Sequence, residues 1–142
     1  MPTKVVYSTE ATATGGGRDG KSATKDGALA ITLAVPKEMG GNGQGNNPEQ
    51  LFAVGYAGCY LGAMRFVAGH EKLGTVPPDA SVTAKVGIGP RAEGGFGLQV
   101  ELKVSMPGVD RAVAEKIAER GHFICPYSNA TKGNIDVTTI VV

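Results

Sequence analysis

The stretch from Asn47 to Tyr60, Asn-Pro-Glu-Gln-Leu-Phe-Ala-Val-Gly-Tyr-Ala-Gly-Cys-Tyr, constrains the fold more than any other part of the chain. It opens with a complete helix start. Asn47 suits the N-cap, Pro48 the first helical position, and Gln50 the place where a capping box takes Glu or Gln. From Leu51 to Met64 there is no charged residue. So apolar a run is shorter than the roughly 20 residues that span a bilayer, and it reads as a buried core helix. Its one cysteine, Cys59, stands among Gly55, Gly58 and Gly62, which fall on one helical face. A glycine in a helix interior costs about 1 kcal/mol against alanine, so three imply close approach by a backbone or a substrate. A thiol in a glycine-lined groove is a candidate active site.

Around this helix the chain alternates strands and turns. Lys4 to Thr14 is rich in Val, Tyr and Thr and reads as a strand, and the Gly15–Gly20 turn carries a lone Arg18. The plain reading of Arg18 is a solvated turn residue. Lys21 to Thr24 and Ala28 to Val35 are strands joined through Asp26-Gly27, a hairpin dipeptide. A loop from Met39 to Asn47 feeds the helix, predicted from Pro48 to about Leu73 and stopped by Gly74 and Pro77-Pro78. Alternation over Val82–Ile88 and Phe96–Met106, with Arg91 to Gly95 between, predicts an antiparallel ribbon with one buried face. Asp110 caps an amphipathic helix that Gly121 is expected to end. Cys125 to Asn134 reads as a loop, and Ile135 to Val142 as a closing strand. The order predicts an α+β fold: antiparallel sheet packed around a long buried central helix and a second helix, in a single domain over residues 1–142.

Charge excludes some functions. Net charge is +1 with no run of like charge, which favours neither nucleic acid nor an anionic membrane surface. The amino terminus lacks the apolar core of a signal peptide, so the expected location is cytoplasmic. There, two cysteines in a chain this size are more often reactive than structural.

The two cysteines differ in setting. Cys59 is mid-helix, beyond the reach of the helix-terminus field, and burial alone would raise its pKa and leave it inert. Reactivity needs a cation from elsewhere. Arg18 is the loop-borne candidate, and Arg65 the competitor, roughly 120° away around the helix. Cys125 follows a helix end and precedes Pro126, which has no N–H to stabilise an anion; that suits a resolving thiol. Two buried structural thiols are an equally simple reading of these features. A metal site from His122, Cys125, Cys59 and His70 is weaker, since a structural zinc needs four converging ligands. A Cys-His hydrolase is weaker too, because both histidines sit near helix ends.

Asn47–Cys59 and Cys125-Pro-Tyr-Ser-Asn-Ala-Thr-Lys-Gly-Asn134 resemble the two signature segments of the organic hydroperoxide resistance proteins of the Ohr/OsmC superfamily. Length, cysteine count, the Arg18 turn and the order of elements agree across the chain. Gly58 departs from the alanine expected in many relatives. The resemblance implies an OsmC-like, intertwined homodimer with active sites at the interface. It implies Cys59 as peroxidatic cysteine, Cys125 as resolving cysteine, and Arg18 with Glu49 as the polar pair around the reactive sulfur. It implies reduction of organic hydroperoxides with no bound cofactor, the disulfide being reopened by a dihydrolipoyl dithiol on a lipoylated protein. Phe52, Tyr56, Phe123 and Ile124 are expected to line an apolar substrate groove beside Cys59. A thiol redox sensor is the competing class. Without a basic stripe or helix-turn-helix pattern, a direct DNA-binding regulator is disfavoured.

Overall fold

The capping box is made. In the computed structural model, which describes residues 1–142, Asn47 Oδ1 accepts from the Gln50 N–H at 2.9 Å. Gln50 Oε1 accepts from the Asn47 N–H at 3.0 Å. The helix so started, α1, runs Pro48–His70. At 23 residues it is long and apolar enough, by length and composition, to cross a membrane, so the expectation that it is too short is corrected. Its place in the core rests on contacts: Tyr56, Tyr60, Ala63, Met64, Val67 and Ala68 are buried.

The chain forms two compact units, Met1–Leu51 and Phe52–Val142. The first holds an antiparallel sheet of β1 (Ala11–Thr14), β2 (Lys21–Thr24) and β3 (Ala30–Thr32), in that order. Only Ala11–Thr14 of the long first strand joins the sheet, and only Ala30–Thr32 of the third, with Leu33 bridging to Asn46 instead. Asp26 makes the expected turn, its Oδ1 accepting from the Ala28 N–H and the Thr24 hydroxyl. Between β1 and β2 a 3₁₀ turn, Gly17–Asp19, presents Arg18. Asp19 Oδ1 ties that turn to the Val35 N–H at 3.1 Å.

The second unit holds β4 (Ser81–Pro90), β5 (Phe96–Ser105) and β6 (Val137–Val141), in that order. β4 and β5 are antiparallel over ten positions, as the alternation predicts. β6 lies parallel to β5, which departs from an all-antiparallel sheet. The reason is the connection: α2 (Arg111–Ile124) and α3 (Pro126–Thr131) form a helical crossover, which a parallel pair requires. Val100, Leu102 and Val104 of β5 pack with Ala114, Ile117 and Ala118 of α2 and the buried face of α1.

Two expectations fail at glycine and proline. Gly121 does not end α2, which continues to Ile124. It sits where a Cβ would stand 2.8 Å from Met64 Cγ, so its role is close helix packing. The segment after Cys125 is a short helix, not a loop, with Pro126 at its first position and Cys125 at its N-cap. The shared glycine face of α1 also divides. A Cβ on Gly55 would meet Tyr127, whereas Gly58 and Gly62 face open space.

Candidate active site

α2 ends and α3 begins at Cys125, whose N–H donates to the Gly121 carbonyl at 2.9 Å. That junction points the side chain inward. Cys125 is fully buried and Cys59 half-buried, both free thiols, and their sulfurs lie 3.6 Å apart. A disulfide needs about 2.05 Å, so the two sulfurs are near neighbours that are not bonded. The sequence leaves open whether the thiols are separate or paired; the fold brings them together.

Burial pushes the Cys59 thiol up from its ordinary value. The Tyr127 backbone N–H, early in α3, acts the other way by favouring the thiolate, and neighbouring Cys125 raises it again. The Tyr127 ring lies 5.9 Å from Phe52 and 5.6 Å from Tyr56. It closes over α1 at Gly55, one turn before Cys59. Tyr127 is absent from the sequence expectations because a Cys-Pro pair suits a loop as well as a helix start; proline at the first helical position is the signal that points to it.

The other expected residues fall as follows. Phe52 is half-buried and meets Tyr56 edge-on. Tyr56 is wholly buried, its hydroxyl bonded to Ser128 Oγ at 3.0 Å and Thr131 Oγ1 at 3.3 Å. Phe123 is 67% exposed and lies under the Arg120 guanidinium, 4.8 Å from the ring centre. It opens onto a cleft shared with His122, Ser128 and Lys132. Ile124 is packed against the core.

Arg18 and Glu49, in the first unit, form a bidentate ion pair at 2.9 and 2.7 Å. The Arg18 guanidinium holds the Glu49 carboxyl below the usual carboxylate range, and Glu49 raises Arg18 in turn. Glu49 is the more enclosed partner, 12% exposed at its side chain against 40% for Arg18. An Arg–carboxylate fork of this kind fixes both groups in direction as well as charge. Arg65, the competing cation, is spent elsewhere: it donates to the Val76 and Pro77 carbonyls at 3.0 and 2.9 Å. The histidines are also engaged. His122 bonds Ser128 and Thr139 hydroxyls through its two ring nitrogens, and His70 stacks on Phe66.

The chain and its fold have known relatives. The family model for OsmC-like proteins matches residues 41–140. The organic hydroperoxide resistance protein of Xanthomonas axonopodis pv. citri is 51% identical over 138 residues, covering 96% of this chain and 95% of that one. The chain belongs to the OsmC-like family, among its organic hydroperoxide resistance proteins. Solved structures agree with this membership. An organic hydroperoxide resistance protein from Legionella pneumophila superposes with a TM-score of 0.91 at 44% identity, over 97% of this chain and 98% of that one. OhrB of Bacillus subtilis gives 0.86 at 35%, over 97% and 100%. The α+β, OsmC-like fold expected from the sequence is the fold observed.

Proposed function

We propose that this family member is a thiol peroxidase that reduces organic hydroperoxides to alcohols. The carrying observation is the 3.6 Å approach of a half-buried Cys59 to a fully buried Cys125. In this reading the more accessible Cys59 meets substrate first and the enclosed Cys125 resolves it. The Cys59 thiolate attacks the distal oxygen of R–O–OH; the O–O bond breaks and the alkoxide takes a proton to leave as alcohol. The sulfenic acid so formed is attacked by Cys125, which releases water and leaves the Cys59–Cys125 disulfide. An external dithiol, in this reading a dihydrolipoyl group on a lipoylated protein, reopens it by exchange, supplying two electrons and leaving as its own disulfide. No bound cofactor is needed.

In this reading the Arg18–Glu49 pair serves the reactive sulfur of the other chain in a dimer, where the guanidinium would offset the burial that raises the Cys59 thiol. The proposed assembly is a homodimer. In its support, one face of α1 is apolar and uncovered, with Val54 75% and Phe66 56% exposed beside Gly58 and Gly62.

One observation favours a second reading, a thiol sensor oxidised once: the raised Cys59 thiol is a slow nucleophile at neutral pH. Steady-state assay with tert-butyl or lipid hydroperoxide and dihydrolipoamide separates the two. Continuous turnover supports the peroxidase. One equivalent consumed, with no dithiol able to sustain turnover, supports the sensor.

A further inference from the structure

The approach of the two sulfurs is accompanied by a second, parallel crosslink between the same two helices. Tyr56 lies three residues before Cys59 on α1, and Ser128 three residues after Cys125 on α3. Residues three apart on a helix are surface neighbours, so Tyr56 flanks Cys59 as Ser128 flanks Cys125. Their hydroxyls meet at 3.0 Å, with both residues buried. Ser128 is therefore fixed to α1 beside the thiol pair.

Ser128 is held from its other side by His122. Nδ1 of the imidazole lies 2.8 Å from Ser128 Oγ, and Nε2 lies 2.7 Å from Thr139 Oγ1 on β6. The Tyr60 ring covers the imidazole at 4.5 Å and is itself pinned by its hydroxyl to the Ala118 carbonyl at 2.6 Å. The chain Thr139–His122–Ser128–Tyr56 thus runs from β6 through the end of α2 and the middle of α3 to α1. Every buried side-chain polar atom has a partner. A satisfied network that runs from part-buried His122 and Thr139 to buried Ser128 and Tyr56 fixes geometry, and it does so here beside the residue that must reach Cys59.

We infer that His122, acting through Ser128, is a positioning residue that holds the Cys125 thiol against Cys59. The inference rests on the reading of Cys125 as the resolving thiol. It assigns no contact between His122 and substrate or reacting atoms. What it sets is how often Cys125 stands within reach of an oxidised Cys59. A loosened α3 would leave Cys59 able to react once and slow to close the disulfide.

The test measures closure without peroxide chemistry. In a glutathione redox buffer, the Cys59 thiolate attacks oxidised glutathione and releases one glutathione thiolate. Cys125 then attacks the mixed disulfide at the Cys59 sulfur and displaces the second. The equilibrium gives the effective concentration of Cys125 at Cys59. His122→Leu and Ser128→Ala should each lower it about tenfold, the scale of one well-made hydrogen bond. His122→Asn should recover most of that, because its amide stands near the place of Nδ1 and reaches Ser128. The alkylation rate of Cys59, measured in a Cys125→Ser background, should be alike in all three. Wild-type effective concentrations in His122→Leu and Ser128→Ala overturn the inference, as does an alkylation rate that falls in step. Should His122→Leu fail to fold, Ser128→Ala, which removes a single oxygen, carries the test alone. Wild-type protein that closes the disulfide but does not consume hydroperoxide sinks the peroxidase reading and leaves the role of His122 standing.

Discussion

The Tyr127 hydroxyl lies so close to Gly55 that a Cβ there would stand 2.8 Å from its oxygen, with two ring carbons at 3.2 Å. A helical glycine replaced by alanine ordinarily gains about 1 kcal/mol. Here the aromatic ring would have to swing away, an overpacking cost of about 1–3 kcal/mol. Gly55→Ala should therefore lower stability in urea melts, by about 1 kcal/mol net. It should also slow Cys59 alkylation, since Tyr127 supplies the N–H that favours the thiolate. Gly62→Ala, with open space around it in the chain, is the control for helix propensity. Equal gains in both variants would contradict the contact.

The cysteines should fail differently. Cys59→Ser should abolish hydroperoxide reduction. Cys125→Ser should consume one equivalent and then stall as a sulfenic acid, or over-oxidise with excess peroxide. Mass spectrometry of the Cys59 peptide after a single addition reads this directly. Loss of the first equivalent in Cys125→Ser would reverse the assignment of roles.

Substrate preference should follow apolar reach. The aromatic rings of Phe52 and Tyr127 stand together over the turn of α1 before Cys59. Each methylene buried contributes about 0.8 kcal/mol, or about fourfold in kcat/KM. Alkyl hydroperoxides of increasing chain length should thus gain in steps over hydrogen peroxide, which has nothing to bury. A flat series would remove the apolar groove from the argument.

What the sequence made legible follows from where its signals act. Local signals were read correctly: Asn47 and Gln50 form the reciprocal cap, Asp26 the turn, and Asp110 accepts from the Ala112 and Val113 N–H groups. Signals with two physical meanings were not. Gly121 as a terminator and Gly121 as a contact look alike in sequence, and only Met64 and Tyr60 decide between them. A proline both ends one helix and begins the next, so the α3 that carries Ser128 and Tyr127 was hidden. The 3.6 Å meeting of sulfurs 66 positions apart is a tertiary fact that spacing alone cannot supply.

Stability should fall on mild acidification through His122. Burial holds this imidazole below its ordinary value. The unfolded chain therefore takes up a proton near pH 6.5 that the folded chain resists. Stability is full above that pH, declines as pH falls below it, and levels off once the folded state is also protonated. The titratable groups around the ring are Tyr60 and, along the adjoining clefts, Glu115, Glu119, Arg111, Arg120 and Lys132. The difference in Tm between wild type and His122→Asn should thus shrink between pH 8 and 5. A pH-independent difference would show that the imidazole is not held neutral.

The last prediction concerns which chain supplies Glu49. α1 is helical from Pro48, so Glu49 precedes Cys59 by ten residues, about 15 Å along the axis and about 80° around it. A glutamate side chain does not span that distance. Glu49 is moreover already engaged by Arg18 of its own chain through two hydrogen bonds, so the two groups act as one unit. If the pair serves a reactive sulfur, it serves Cys59 of the partner in a dimer, and the uncovered apolar face of α1 gives the partner a place to sit. Heterodimers of a Glu49→Ala chain with a Cys59→Ser chain decide this. Each homodimer should be inactive. In the mixed dimer the intact Cys59 meets the other chain's intact Glu49, and activity should return at one site of the two. A mixed dimer as inactive as its parents would place the pair and the sulfur in the same chain.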